Sequence, residues 1–275
     1  MNSYITPFQA GEKLIVAGHH ISIVRQIATD CRMYVYIVSD PEHPEQLILK
    51  ECFRQPNFAE YAAENYGNGR MLNTGRWEYE TQQDLQQHPN IVRTLGGHPW
   101  EKDRRRFLIL MEYAPYGDLG QVLEKYGRVE YHTAWLFYEQ ILAAVGHMHR
   151  EQQVHNGIAP RNIFIFDEGM AKVGDFGNGY VSCPCPVGQV MTHGERDDLK
   201  GAARCLVRML LGNLHGLKDL QKVAVEEEIP GFLAEHPEWA GRMTAEDCWF
   251  IRQQFWSLYP RRPIPEAYGT PRSMM

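Results

Sequence analysis

Long apolar runs are missing from this sequence of 275 residues. The run Phe107–Met111 falls far short of the roughly 20 residues that a membrane-spanning helix needs. The first residues offer only a short apolar patch without a basic lead, so we expect no secretory signal. A basic excess is also missing, and the net charge of −6 disfavours general binding to nucleic acid or acidic membranes. We therefore expect an intracellular protein, cytoplasmic or nuclear, with no nucleic-acid or membrane partner.

Cysteine is scarce, and the six cysteines of the chain show no paired framework. Cys183 and Cys185 stand near His193, but structural zinc usually has a full tetrahedral ligand set and a wider cysteine spacing. A chain of this length also has enough core to fold without disulfides. We predict free thiols and no structural metal.

Hydrophobic periodicity predicts strands in the first part of the chain. Residues 27–38 alternate in strand fashion. We expect a loop over residues 40–46 to follow, and then a second strand that ends at Lys50. The basic cluster Arg104–Arg106 is interpreted as a solvated turn, with a docking patch as the alternative.

Helical spacing of apolar residues dominates the later part of the chain. It predicts a core helix over residues 133–148 and a second helix from Asp198 to Leu211, which Gly212 ends.

The most informative stretch is VHNGIAPRNIFIFDEGMAKVGDFG, residues 154–177. It contains His155, Asn162 and Asp175, and Asp175 begins the run D-F-G. These residues resemble the active site of the protein kinases, in which a catalytic loop H-R-D-x-x-x-x-N is followed by a hairpin and D-F-G.

The resemblance extends over most of the chain. The segments that match the kinase pattern, in order, are PEQLILKECF (44–53), HPNIVRTLGG (88–97), FLILMEYAPYGDL (107–119), AWLFYEQILAAVGHMHREQQVHNG (134–157), ERDDLKGAARCLVRMLLG (195–212) and FWSLYPRRP (255–263). The chain is thus identified as a degenerate member of the protein-kinase-like superfamily. The resemblance implies an α+β fold with two lobes in one domain over residues 1–275. The small β-rich N-lobe would cover residues 1–112, and the larger, mainly α-helical C-lobe residues 113–275.

The resemblance also implies a site for ATP with magnesium. Lys50 matches the strand lysine that pairs with the nucleotide phosphates, and Asn162 and Asp175 match the metal ligands. Carboxylate and amide oxygens are ligands that magnesium prefers. The resemblance further implies a helix over residues 72–87, a stretch rich in Glu and Gln, with a glutamate that holds the lysine in place. Spacing selects Glu78 for this role, with Glu80 as the alternative.

Other positions of the pattern concern the adenine pocket and the loop. Met111 would lie at the back of the adenine pocket, with Glu112 and Tyr113 in the hinge. Asp198 would be a buried carboxylate that opens its helix. Arg161 resembles the arginine of the tyrosine-kinase catalytic loop.

Three parts of the kinase pattern are missing. The position of the catalytic base is Gly157, which has no side chain to accept a proton, so we expect no catalytic residue there. The three glycine positions of the phosphate lid are Ala28, Asp30 and Met33. The activation segment is short and has no A-P-E motif.

Three hypotheses follow from what is kept and what is missing. The first is a pseudokinase, a regulatory or scaffolding module that acts through a protein partner and retains weak Mg-ATP binding. The second is an active ATP-dependent phosphotransferase, for a protein or a small molecule, with an unconventional mechanism. The third is an interaction domain without a nucleotide site.

Overall fold

This computed structural model describes residues 5–30, 32–53, 74–167, 169–182 and 192–212. The chain divides into two compact units, residues 1–213 and 214–275, and every described residue lies in the first. The expectations for Cys183, Cys185 and residues 255–263 therefore fall outside the described residues, as does all of the expected C-lobe beyond residue 212.

A sheet of six antiparallel strands forms the first part of the fold. Its strands are β1 (Lys13–Val16), β2 (His19–Thr29), β3 (Met33–Asp40), β4 (His43–Phe53), β5 (Thr94–Pro99) and β6 (Arg106–Glu112). Their order across the sheet is β1-β2-β3-β4-β6-β5. The alternating residues 27–38 fall in β2 and β3, which pair as a hairpin. β4 lies in the middle of the sheet, between β3 and β6.

Apolar side chains cover both faces of this sheet. Successive side chains of a strand point to opposite faces, and successive residues of β6 belong to two different clusters. Leu108 and Leu110 belong to one buried cluster, and Ile109 and Met111 belong to another. Helix α1 (Thr74–Leu85) packs on the second face, where the ring of Tyr79 lies 6.1 Å from that of Phe107. The predicted helix over residues 72–87 is therefore present with slightly shorter bounds.

Within the described residues, three longer helices belong to the second part of the fold. They are α2 (Leu119–Tyr126), α3 (Tyr131–Arg150) and α4 (His193–Leu211), and α3 packs against α4. Two pairs of short strands lie between α3 and α4 in the chain. β7 (Gln153–Val154) pairs with β10 (Tyr180–Val181), and β8 (Ile163–Asp167) pairs with β9 (Met170–Val173). Helix α3 buries an apolar face at the predicted spacing, comprising Ala134, Phe137, Tyr138, Ile141, Ala144, Val145 and Met148.

The expected two-lobed α+β fold is confirmed, with a β-rich part followed by a mainly helical part. Among the described residues, no helix combines the length and the apolar character that crossing a membrane requires.

The loop predicted over residues 40–46 is wrong. Strand β3 runs to Asp40 and β4 begins at His43, so the connection is a two-residue turn. The sequence favoured a loop because Pro44 has no N–H to donate to a neighbouring strand. The pairing of β3 with β4 shifts register between Val38 and Asp40, and that irregularity accommodates the proline.

The predicted start of the helix that contains Asp198 is also wrong. Helix α4 begins at His193, ahead of Asp198, because the Thr192 hydroxyl accepts from the N–H of Glu195 and the Glu195 side chain accepts from the N–H of Thr192. Gly212 follows the helix at φ 88°, as its predicted end requires.

The interpretation of Arg104–Arg106 as a solvated turn fails at its last residue. Arg106 is only 6% exposed and forms an ion pair with the fully buried Glu51. Its guanidinium lies 4.1 Å from the ring centre of Phe8 and 4.4 Å from that of Trp100. The buried ion pair and the two rings hold this arginine inside the fold.

Candidate active site

A buried ion cluster joins the sheet, helix α1 and the turn after β9. The Nζ of Lys50 donates to Glu78 Oε1 at 2.6 Å and to Asp175 Oδ1 at 2.8 Å. Lys50 and Glu78 are 7% and 2% exposed, whereas the Asp175 side chain is 33% exposed. Buried charges are stable in a fold only when they are paired. Two carboxyl groups from distant parts of the chain are thus held within hydrogen-bond reach of the Lys50 Nζ atom.

Geometry also distinguishes the two candidate glutamates of α1. Glu78 faces the sheet and contacts Lys50. Glu80 lies on the exposed side of the helix, where its Oε1 accepts from Arg76 Nε at 2.7 Å. Glu78 is therefore the partner of the strand lysine.

The charge states of this cluster follow from the contacts. Burial alone would lower the pKa of Lys50, but the charges of Glu78 and Asp175 outweigh it and raise that pKa above its ordinary value. Burial would raise the pKa of Asp175, yet the charge of Lys50 and its hydrogen bond bring that pKa below the usual range. At neutral pH Lys50 is a cation and Asp175 an anion. These are the charge states suited to phosphate and to a metal ion.

The D-F-G turn has a strained start and a buried centre. Asp175 lies in the left-handed region, at φ 63° and ψ 68°. Phe176 is fully buried, and its ring centre lies 5.0 Å from that of His155. A left-handed non-glycine residue costs about 1–3 kcal/mol and persists when its surroundings hold it. Burial of Phe176 and the bond to Lys50 hold Asp175 in this conformation.

Asp198 anchors the loop that carries the candidate site. It is 1% exposed, as its predicted role requires, and its carboxylate accepts from the backbone N–H groups of His155 and Asn156, both at 2.8 Å. Its Oδ2 also lies 3.1 Å from His149 Nε2. A helix that starts after β10 thereby fixes the backbone just before Gly157.

The ring of His155 is neutral, because burial lowers its pKa below the ordinary value. Nε2 lies 3.0 Å from the carbonyl oxygen of Gly174 and must be the protonated nitrogen, since a carbonyl only accepts. Nδ1 then keeps its lone pair, and this buried atom has no hydrogen-bond partner among the described residues. The sequence alone did not indicate this orphan acceptor.

Position 157 carries no proton-accepting group, and its surroundings are tight. Asn162 Nδ2 donates to the Gly157 carbonyl at 2.7 Å, which leaves Asn162 Oδ1 as the side-chain oxygen for a cation. A Cβ at position 157 would lie 3.2 Å from His155 Nδ1 and 3.4 Å from Asn162 Nδ2. A larger residue would need these neighbours to shift by a few tenths of an ångström. Arg161 stands exposed in the short 3-10 turn that ends at Asn162.

The tip of the β2–β3 hairpin lies over the ion cluster. Asp30 Oδ1 accepts from the N–H groups of Arg32 and Met33 at 2.6 and 2.8 Å, so Asp30 is a turn-forming residue. The tip and the ion cluster enclose a cavity of only about 60 Å³. Ligand pockets are typically about 300–1,000 Å³. The space between the tip and Lys50 is therefore smaller than an ordinary ligand pocket.

The residues predicted for the adenine pocket and hinge lie at the end of β6. Met111 is buried among apolar side chains on the α1 face of the sheet. The Glu112 carboxylate accepts from Lys172 Nζ at 2.8 Å and from the N–H of Arg93 at 2.7 Å. Tyr113 follows β6 and is half-buried. The side chain of Glu112 is thus committed to ion pairing rather than to a ligand.

Two further residues tie α1 to the site and were not predicted to do so. Gln82 is fully buried, and its Nε2 donates to the carbonyl of Val92 at 2.6 Å. Trp77 Nε1 donates to the carbonyl of Gly179, just after the D-F-G turn, at 3.0 Å. The burial of Gln82 could have been predicted from the sequence, because Gln82 lies one helical turn after Glu78 on the same face of the helix.

Comparison with known proteins agrees with this geometry. Residues 60–183 match the family model described as protein kinase domain. The chain is 31% identical over 143 residues to Aurora kinase B of Xenopus tropicalis, covering 52% of this chain and 36% of the relative. Aurora kinase B-A of Xenopus laevis is 34% identical over 143 residues, again covering 52% of this chain and 36% of the relative.

A relative of another kind is mitogen-activated protein kinase kinase kinase mkh1 of Cytospora mali. It is 35% identical over 100 residues, which is 36% of this chain and 5% of that protein. The chain spans 36% of the length of each of the two Aurora relatives named above. Together, the fold and these matches support a protein-kinase-like superfamily for this chain.

Proposed function

We propose that this chain binds a magnesium nucleotide at Lys50, Asn162 and Asp175 and acts as a slow ATP-dependent phosphotransferase. The observation that carries the proposal is the contact of Lys50 Nζ with both Glu78 and Asp175. A buried ion cluster is weak support for stability, because apolar residues of similar size often stabilise a fold as well or better. An assembled cluster of this kind is better explained by ligand chemistry.

The residues present fit a magnesium ion and a phosphate chain. Asp175 is ionised and one-third exposed, and Asn162 Oδ1 is a second hard oxygen donor. Lys50 supplies a fixed positive charge beside them. When bound, magnesium neutralises the developing charge on a transferred phosphoryl group. The chain's own part is to position these groups, with Glu78 holding Lys50 in place.

The named functions of the relatives also favour phosphotransfer. The three relatives named above are all called kinases. Gly157 makes such an activity slow, because general-base catalysis is worth about 10²–10⁴ in rate. It does not forbid the reaction, since positioning and charge neutralisation supply most of the catalysis in phosphoryl transfer.

A second candidate is the pseudokinase, a nucleotide-binding regulatory module with a protein partner. Two observations favour it. Gly157 offers no proton acceptor, and the hairpin tip at Asp30 and Met33 leaves only a small cavity over Lys50. This candidate shares the nucleotide site and differs only in the absence of phosphate transfer.

One experiment separates these functions. Thermal shifts are measured with ATP and ADP, with and without Mg²⁺ or Mn²⁺, and transfer of labelled γ-phosphate is measured on the same protein. Metal-dependent stabilisation with transfer that Asp175→Asn abolishes supports the phosphotransferase. Stabilisation without transfer points to the pseudokinase.

A flat titration up to millimolar nucleotide with both metals would eliminate both candidates and leave an interaction domain. Lys50→Met should weaken nucleotide binding. Asp197→Asn is the matched control for Asp175→Asn, because Asp197 lies on α4 with an exposed side chain.

A further inference from the structure

Two histidines and one aspartate meet at one end of the six-stranded sheet. β2 begins at His19, β3 ends at Asp40, and β4 begins at His43. Because neighbouring strands are antiparallel, these three strand ends lie at the same end of the sheet. Asp40 and His43 are also opposite each other across the two-residue turn. The backbone therefore fixes the cluster.

The potential ligand atoms converge on one point. Asp40 Oδ2 lies 2.9 Å from His19 Nδ1 and 3.9 Å from His43 Nε2. All three atoms lie within 4.8 Å of one another. No other group of three or more His, Cys, Asp and Glu side chains in the described parts of the chain comes together in this way.

The carboxylate is the fixed member of the cluster. The Asp40 side chain is 1% exposed, and its Oδ1 accepts from the N–H of Glu42 at 3.0 Å. Its Oδ2 is thereby aimed at the two imidazoles. The His19 and His43 side chains are 22% and 38% exposed, so both rings can adjust about their side-chain torsions.

A simple histidine–aspartate hydrogen bond explains only part of this arrangement. It accounts for the contact of His19 with Asp40. It leaves the second imidazole unexplained, because His43 Nε2 at 3.9 Å is too far for a hydrogen bond. The centres of the two histidine rings are 5.1 Å apart. Both rings thus turn a nitrogen toward the same buried oxygen.

We propose that His19, Asp40 and His43 form a binding site for a divalent transition-metal ion, with zinc as the ion that fits best. Zinc bonds to imidazole nitrogen and carboxylate oxygen are about 2.0–2.2 Å, which in a tetrahedron places the ligand atoms roughly 3.3 Å apart. The 2.9 Å and 3.9 Å separations lie on either side of that value. Because Asp40 is fixed, binding would require both partly exposed imidazole rings to adjust, His19 outward from the carboxylate and His43 toward it.

The ligand set also decides the class of ion. Imidazole suits zinc and its first-row neighbours, whereas magnesium and calcium prefer oxygen ligands. Two histidines and one carboxylate leave a fourth position for water or another small ligand. The site is separate from Lys50 and Asp175 and does not depend on the proposed function. It also departs from the expectation of no structural metal, which considered only the Cys183 region.

The test uses tag-free full-length protein that has been dialysed against a chelator. ZnCl₂ is titrated in by calorimetry, and bound zinc is counted by elemental analysis after desalting. We expect one zinc per chain and a higher Tm with zinc. Cobalt(II) offered in place of zinc should give the visible absorption of a tetrahedral site.

Variants connect the metal to the three residues. His43→Gln and His19→Gln should each weaken zinc affinity by at least about tenfold, because even changes to residues that only support the ligands cost about 10–100-fold. His20→Gln is the matched control, since His20 is the exposed neighbour on the same strand. Circular dichroism of His43→Gln checks its fold.

Two results would overturn the proposal. One is the absence of stoichiometric zinc. The other is zinc that persists in His43→Gln and His19→Gln, for example zinc that is lost instead in Cys183→Ser. The nucleotide titration of the wild-type protein is unaffected by either result.

Discussion

The two sides of the candidate active site differ in how completely they are built. On one side, Lys50, Glu78 and Asp175 form a closed set of contacts at 2.6 and 2.8 Å. On the other side, Gly157 has no side chain, and the hairpin tip encloses only a small space over Lys50. The groups that neutralise charge are in place, whereas the group that would accept a proton is missing. Binding and catalysis can therefore be separated in this fold.

The largest expected effect breaks the complete side of the site. Glu78→Gln removes the buried carboxyl group that pairs with Lys50 and leaves only the partly exposed Asp175 as its acidic partner. Breaking a buried ion pair costs about 3–5 kcal/mol. Urea denaturation should show a loss toward the lower end of that range, about 3 kcal/mol in the free energy of unfolding.

Glu80→Gln is the control from the same helix. Its partner Arg76 is exposed, and surface pairs of this kind contribute little. Equal stability losses in the two variants would contradict the assignment of Glu78 as the partner of Lys50.

The next effect tests the incomplete side. Gly157→Asp restores a carboxylate, which is worth at most about 10²–10⁴ in rate. We expect a gain toward the lower end, because a Cβ there comes within 3.2 Å of His155 Nδ1 and the hairpin tip is unchanged. Single-turnover phosphate transfer measures it.

Gly157→Ala supplies the same Cβ without the carboxylate and serves as its control. A gain in the alanine variant would show that backbone stiffening, and not a proton acceptor, limits the rate.

A smaller effect concerns the link between helix α1 and the D-F-G turn. Trp77→Phe removes the donor to the Gly179 carbonyl while keeping an aromatic ring. A typical hydrogen bond contributes about 0.5–1.5 kcal/mol, so we expect a loss of about 1 kcal/mol in denaturant unfolding. Nucleotide affinity should also fall in this variant if the hydrogen bond of Trp77 positions Asp175. Unchanged stability would mean that water replaces the donor.

The smallest effect lies outside both sides and serves as a reference. Burial, the charge of His147 and the charge of Arg150 lower the pKa of His88. The unfolded chain takes up a proton at about pH 6.5, where the folded chain does not. His88 therefore contributes stability above that pH, which is lost as pH falls toward its folded pKa.

The variant His88→Asn should flatten this dependence slightly between about pH 6.5 and 5. Denaturant midpoints measured across that range provide the check. A steeper slope in the variant would show that His88 gains a proton on folding.

Sequence spacing was informative where the chain itself sets the geometry. The helical period located α3 to within a few residues, and the kinase pattern located α1 equally well. The pattern of catalytic loop and D-F-G also indicated residues that the fold brings together through one short hairpin. Such local patterns survive folding because backbone periodicity dictates them.

Other features depend on contacts between residues far apart in the chain, and local sequence did not predict them. In the sequence Arg106 resembles a turn residue, but in the fold it contacts Glu51, Phe8 and Trp100. Pro44 looks like a loop residue until a register shift accommodates it. Neither the small cavity over Lys50 nor the meeting of three strand ends around Asp40 has a signature in local sequence. Both depend on strand pairing.

The most direct test of the central claim is nucleotide-dependent stabilisation of the wild-type chain and of Asp175→Asn. A ligand that binds only the folded state adds about 2.7 kcal/mol at a hundredfold excess over its Kd. For a domain of this size each kcal/mol moves Tm by about 2–4 °C. We expect a rise of several degrees in Tm with ATP and Mg²⁺, and loss of the metal dependence in Asp175→Asn. An unchanged Tm in the wild-type chain, or the same metal-dependent rise in both proteins, would contradict this expectation.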